Sequence, residues 1–258
     1  MIRWLPFVIL CVILTMVVLA PIIARYDPLY IDLDNVRAGA SLTHPFGTDA
    51  KGRDIFARVL YGGRVSLGIS FIASTLSFVI GFSVGLMAGW YQRLDTALMA
   101  VVDLTLAFPS LLLAIGISIL LPPNGYSTVI AISVVGWAAF ARLTRGQVLL
   151  IKRMAYIDAA RTLGLSDLRI LLFHVLPQCL SIGSAMMGLK FGGYILTEAS
   201  LSFLGLGTQP PTPSWGSMIN ENRTYILSDP WMVIPPGLAI ALSVFCFNLI
   251  GDLYAEKR

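Results

Sequence analysis

The chain has 258 residues, 57% of them hydrophobic and only 12% charged, with a formal net charge of +4. A soluble domain carries roughly a quarter of its residues charged, and 18 Lys+Arg with 14 Asp+Glu cannot cover the surface of a single water-soluble core. The wealth of aliphatic residues excludes disorder as well, which leaves an integral membrane protein.

A bilayer core of ~30 Å takes about 20 apolar residues in helix, so charge-free intervals locate the spans. The first is 4–24. It is longer than the ~7–15-residue core of a signal peptide, and Ala20-Pro21 is a poor cleavage junction, so it reads as a retained helix. A loop at 26–64 follows, then a second span at 65–92. Within it Gly81, Gly85 and Gly89 recur every fourth residue, share one helix face and predict a closely packed neighbour. The interval 104–141 is split by Pro122-Pro123-Asn124-Gly125 into spans of 97–121 and 126–149. Pro177 on one side and Gly205, Gly207 and Pro210-Pro211 on the other bracket a fifth span at 180–204, and 231–252 is the sixth. Cys11, Cys179 and Cys246 form no C-x-x-C pair and read as buried thiols behaving as small hydrophobes.

Lys and Arg mark the cytoplasmic side of a membrane protein. The termini and even-numbered loops hold Arg3, Arg93, Arg142, Arg145, Lys152, Arg153, Arg161, Arg169, Lys257 and Arg258. Against them stand Arg25, Arg37, Lys51, Arg53, Arg58 and Arg64, diluted by aspartates in the first loop, and Arg223. Both termini and 142–176 are therefore expected in the cytoplasm, with 26–64 outside. The basic residues are scattered without aromatic partners, so nucleic acid is not an expected ligand.

Residues 156–177 read as helix, break, helix. Ala159, Ala160, Arg161 and Leu163 are good helix formers. Gly164 stands where a left-handed cap is needed, and Ser166 is placed to cap the next helix with Asp167 in its first turn. Leu165 and Ile170 are spaced for a hydrophobic staple. The small residues Ala159, Ala160 and Gly164 admit a close neighbour, and Tyr156, Leu163 and Leu165 offer apolar knobs. Such an elbow suits a groove on a partner, or else lies on the lipid surface.

Asp158-Ala159-Ala160, then Gly164, then His174-Val175-Leu176-Pro177 resembles in spacing the EAA loop of ABC importer permeases, with Asp in place of Glu and His in place of Ile. His44-Pro45-Phe46-Gly47-Thr48-Asp49, Gly52-Arg53-Asp54 and Arg64-Val65-Ser66-Leu67 resemble the entry to the second helix of C-type permease subunits in the dipeptide, oligopeptide and nickel group. The same holds for Glu198 to Gly207, for Pro213-Ser214-Trp215-Gly216, and for Asn248-Leu249-Ile250-Gly251-Asp252, although the tail beyond is shorter than is common there.

The resemblance implies an all-α integral membrane protein with six transmembrane helices in the type I ABC importer permease fold. It would comprise a first helix at 1–25, an extracytoplasmic loop at 26–64 and a five-helix core at 65–254 that includes a coupling loop at 152–177. It implies a bacterial cytoplasmic (inner) membrane location, and the elbow as a coupling helix seated in an ATPase groove. The implied partners are a second permease subunit forming a heterodimer, two ATPase subunits, and an extracytoplasmic solute-binding protein. The chain itself would be no enzyme and bind no cofactor or metal, ATP and Mg²⁺ residing on the ATPases. The cargo would be small peptides or nickel.

Three readings of single motifs remain. Gly47 to Asp54 mimics a phosphate loop but lacks the Lys-Ser/Thr pair after its second glycine. His44 and His174 fall on opposite sides of the membrane and cannot share a metal. Lys190 and Glu198 are charges inside a span, which are costly and usually face a wet interior; with Met187 and Phe191 they either line a translocation path or serve structure. In the structural case Lys190 pairs with Asp103, and Glu198 caps backbone at the outer mouth. A stand-alone secondary transporter or channel, needing no ATPase, is the competing class, but no internal repeat supports it.

Overall fold

The computed structural model describes residues 4–255; Arg3, Lys257 and Arg258, which enter the charge balance across the membrane, lie outside them. Among the described residues the regular structure is helical, with one isolated antiparallel bridge between Thr48 and Asp54. The α-helices are α1 (Leu5–Val18), α2 (Ala20–Ile23), α3 (Ile55–Trp90), α4 (Gln92–Ala107), α5 (Ser110–Ile119), α6 (Gly125–Ile151), α7 (Ala155–Thr162), α8 (Asp167–Ile170), α9 (Leu176–Phe203), α10 (Trp215–Asn222) and α11 (Ile234–Ala255). A π-helical turn, Leu171–Val175, joins α8 to α9.

Four helical runs are long and apolar enough to cross a bilayer: α3, α6, Asp167–Phe203 and Ile234–Gly251. Helices α4 and α5 qualify only as a pair, bent by 91°. The bend corrects the expectation of one straight span at 97–121. Pro109 has no N–H to give, and its ring drives Phe108 out of the helical region, to φ −92° and ψ 142°. Helix α1 has 14 residues, about 21 Å at 1.5 Å per residue, and the chain turns at Leu19 into the four-residue α2.

Helix α3 begins at Ile55 rather than at the expected 65, so the first loop ends at Asp54. Arg58 and Arg64 made 55–64 look like loop. Instead Asp54 caps the helix, its Oδ2 accepting from Ala57 N at 2.7 Å, and Arg58 is buried among carboxylates.

Among the described residues the most extensive helix–helix contact runs between α3 and α6. Gly81, Gly85 and Gly89 lie along it. A Cβ on Gly81 would come within 2.1 Å of the Trp137 carbonyl oxygen, and one on Gly85 within 2.5 Å of that of Ala141. On Gly89 it would come within 2.6 Å of Val148 Cβ. The two backbones therefore touch, the arrangement small residues permit in membranes. Ser77 Oγ donates to Ser133 O at 3.4 Å and Ser133 Oγ to Ala73 O at 3.3 Å, two bonds across the same seam. Helix α4 is tied to α6 by Arg145, whose Nε and Nη2 reach Asp95 Oδ1 and Oδ2 at 2.5 and 2.6 Å, and by Arg142 with Asp103.

Replacing Gly85 with Leu should force the α3–α6 seam apart at a cost of about 1–3 kcal/mol or more. Gly68→Ala, where a Cβ would meet nothing within 4 Å, should leave stability unchanged or slightly raised. Thermal unfolding of the two variants in detergent checks the contrast.

Candidate functional site

Leu163-Gly164-Leu165 ends α7. Gly164 takes φ +79°, its N–H donates to Arg161 O at 2.9 Å, and Leu165 N–H reaches back to Ala160 O at 3.2 Å. This paired closure satisfies the last carbonyls of the helix and needs a residue free to adopt positive φ. Leu204-Gly205-Leu206 ends α9 by the same device: Gly205 N donates to Ser202 O at 3.1 Å and Leu206 N to Leu201 O at 2.9 Å. The two Leu-Gly-Leu motifs thus mark the two turning points of the chain around α9.

Ser166 occupies the N-cap position of α8 in extended conformation, but its side chain makes no capping bond. Leu165 and Ile170 join one apolar cluster, as a staple requires. Pro177 stands at the start of α9 directly after the π-helical turn, inside the run Asp167–Phe203, where the wider turn accommodates a residue without an N–H. The small residues divide differently from the expected open face. Ala160, together with Ile157, is buried against Trp90, Ile151 and Val175 of the same chain, because the elbow folds back onto the ends of α3 and α6. Ala159, Asp158 and Gly164 remain exposed, and Leu163 projects with 80% of its surface free. Tyr156 Oη accepts from Gln178 Nε2 at 2.7 Å, which ties the elbow to the root of α9.

Trp90, the last residue of α3, is the anchor of this end, and sequence reasoning passed over it. Lys152 Nζ donates to its carbonyl at 2.7 Å, placing a cation at the negative end of a long helix. The same ammonium and the Arg161 guanidinium each stand 5.4 Å from the centre of the indole ring. One aromatic residue therefore joins α3, the end of α6 and α7. The available signal was its place at the end of a span, with Lys152 and Arg161 counted only for orientation.

At the opposite end, the Gly47–Asp54 motif is a clasp. Gly47 and Gly52 turn the chain at φ +76° and +74°. Thr48 Oγ1 accepts from Ala38 N at 2.8 Å and donates to Asn35 O. Asp49 accepts from Lys51 N, Arg53 N and Arg53 Nε at 2.8, 3.0 and 2.7 Å, and lies 3.6 Å from Arg58 Nε. Arg53 and Arg58 both reach Glu221 on α10, Arg58 Nη2 at 3.1 Å. Asp54, besides capping α3, pairs with His44 Nδ1 at 2.9 Å. Beside the clasp, the Asn35 amide and then the Asp34 N–H hold the Asp32 carboxyl below the usual carboxylate range. Two guanidinium groups and two carboxylates neutralise one another in a largely buried cluster. Glu221 was missed because nothing in the sequence links it to a loop so far upstream.

The four residues read as a translocation path do not come together. Lys190 lines a cavity of about 510 Å³ bounded by α4, α5, α6, α9 and α11. Met187 and Phe191 face a separate apolar hollow of about 560 Å³ on another side of α9, shared with Arg64 and Phe71. Glu198 is fully buried; Ser202 Oγ donates to its Oε1 at 2.8 Å, and it lines neither hollow. Asp103 pairs with Arg142, not with Lys190.

Residues 77–257 match the family described as binding-protein-dependent transport system inner membrane component. A Brucella suis protein provisionally named a peptide transport system permease is 43% identical over 245 residues, covering 95% of this chain and 83% of that protein. The glutathione transport system permease protein GsiD of Escherichia coli O1:K1 / APEC is 44% identical over 251 residues, covering 95% of this chain and 81% of its own length. In fold the chain is similar to an inward-facing structure of the MetNI methionine ABC transporter, with a TM-score of 0.63 and 17% identity over 77% of this chain and 95% of that one.

Arg58→Met should leave Asp49 and Glu221 buried with too little positive charge, at a cost of about 3–5 kcal/mol. Arg37→Ala removes a half-exposed pair with Asp229 and a cation–ring contact with Tyr225, and should cost about 0.5–2 kcal/mol. Melting temperatures of the purified variants check the difference.

Proposed function

We infer from one premise, that this chain belongs to the family of binding-protein-dependent transport system inner membrane components, how its geometry is used. As a permease subunit of an ABC importer, it forms a path through the inner membrane and carries out no chemistry of its own. A channel or secondary transporter working alone does not fit that membership. The finer assignments are proposals.

The chain crosses the membrane six times, α1 with α2 supplying the first crossing and the bent α4–α5 pair the third, with both termini in the cytoplasm. It pairs with a second permease subunit as a heterodimer, above two ATPase subunits that hold ATP and Mg²⁺, and receives cargo from an extracytoplasmic solute-binding protein at the clasped loop and α10. The cargo is peptide rather than nickel, a choice supported by relatives named for peptide and glutathione transport.

The observation that carries this reading is the elbow. Leu163 stands free while every layer beneath it is fixed: Ile157 and Ala160 in the core, Arg161 and Lys152 on Trp90. A groove on an ATPase that holds Leu163 moves α7, and α7 cannot move without the end of α3. Tyr156, Asp158, Ala159, Gly164 and Leu165 form the surround of that contact, and Pro177 fixes where α9 departs.

Leu163→Asp places a charge in the groove without disturbing the fold, because the side chain packs on nothing. Uptake by the assembled transporter should fall at least ten-fold, and ATPase subunits should no longer co-purify, while the yield and melting temperature of the permease stay unchanged. Unaltered uptake and unaltered co-purification would refute the coupling assignment.

A further inference from the structure

We propose that the cavity beside α9 is a subsite for the terminal carboxylate of a peptide, with Lys190 as the cation that receives it. The proposal rests on the peptide-importer reading above and names the chemistry of the path. The cavity volume of about 510 Å³ lies within the roughly 300–1,000 Å³ of small-molecule pockets.

Among the described residues Lys190 is the only charged side chain lining the cavity, and no salt bridge or hydrogen bond engages it. The carboxylate nearest in expectation, Asp103, is taken by Arg142. An ammonium at bilayer depth is tolerated where it meets water or an anion. The surroundings point to water: the Arg142 and Asp103 side chains, 54% and 66% exposed, sit one helical turn from cavity residues of α6 and α4, and such charges do not face lipid.

The remaining polar lining favours an anion. The Tyr194 ring lines the cavity with its buried hydroxyl turned to that of Ser77, and Asn248 brings an amide. Thr105 and Thr197 spend their protons on the carbonyls of Val101 and Gly193, each at 2.8 Å. Among the described residues no carboxylate lines the cavity. Donors without acidic acceptors suit a carboxylate, and an unpaired lysine repels a divalent metal, so the same residues set peptide apart from Ni²⁺ as cargo.

The test uses the complete transporter in proteoliposomes with its binding protein, and a labelled dipeptide with either a free or an amidated C-terminus. Because the binding protein is unchanged, each variant is compared with wild type on the same substrate. Lys190→Met should lower uptake of the free dipeptide at least ten-fold and leave uptake of the amide as in wild type, and Lys190→Arg should restore the free dipeptide. Independently of delivery, the free dipeptide and not its amide should protect Lys190 from amine acylation, followed by mass spectrometry. Wild-type uptake of the free dipeptide by Lys190→Met, equal loss of both substrates, as pairing with the second permease would produce, or absence of protection would each overturn the proposal. ATP hydrolysis stimulated by loaded binding protein in the wild type tests the importer reading separately, so the two failures are distinguishable.

Discussion

The close contact of α3 with α6 is the constraint on which the rest depends. Between helices in lipid there is no hydrophobic gain from association, because the lipid tails are as apolar as leucine. The two helices hold together by touching along their backbones, and three glycines every fourth residue make that possible. With serine hydroxyls bonding across the same seam, the pair forms a stiff unit about as long as α6, from Ile69 to the end of α3. Both working ends of the molecule are built on it. At one end Trp90 joins α3 to α6 and the elbow; at the other, Arg58 of α3 binds the first loop and α10 through Asp49 and Glu221.

Scarcity of charge makes each charge informative. Asp95, Asp103, Arg142 and Arg145 pin α4 to α6. Asp49, Arg53, Arg58 and Glu221 cancel within one cluster, which keeps the desolvation of four ions tolerable only while all four are present. Lys152 and Arg161 are spent on Trp90. Lys190 stands apart from these arrangements, and under the proposal above its cavity meets a charged cargo without disturbing a structural pair.

Much of this was legible in the sequence because it is local. The Leu-Gly-Leu turn at 163–165 needs only one residue able to take positive φ, and the glycine period in α3 needs only helical spacing. What distance along the chain separates was not legible. Charge-free intervals placed Arg58 in a loop, because its partners Asp49 and Glu221 lie on other elements. The break at Pro109 was overlooked beside the stronger Pro122-Pro123 signal. Ala160 looked like open surface because a short amphipathic helix does not reveal which side faces its own protein. Lys190 and Glu198 looked alike as charges within one span, yet their different azimuths put one in a cavity and the other inside the packing.

If the elbow grips α3 at Trp90, the elbow and that end of α3 move as one body. Spin labels at Leu168 and at Met87, both exposed and both outside the proposed ATPase contact, report on it directly in the assembled transporter, by pulsed electron spin resonance distances with and without trapped nucleotide. The Leu168–Met87 distance should be the same in both states, while distances from either label to the proposed second permease change. A shift of several ångströms between Leu168 and Met87 on nucleotide binding would show that the elbow hinges independently and would refute the coupling.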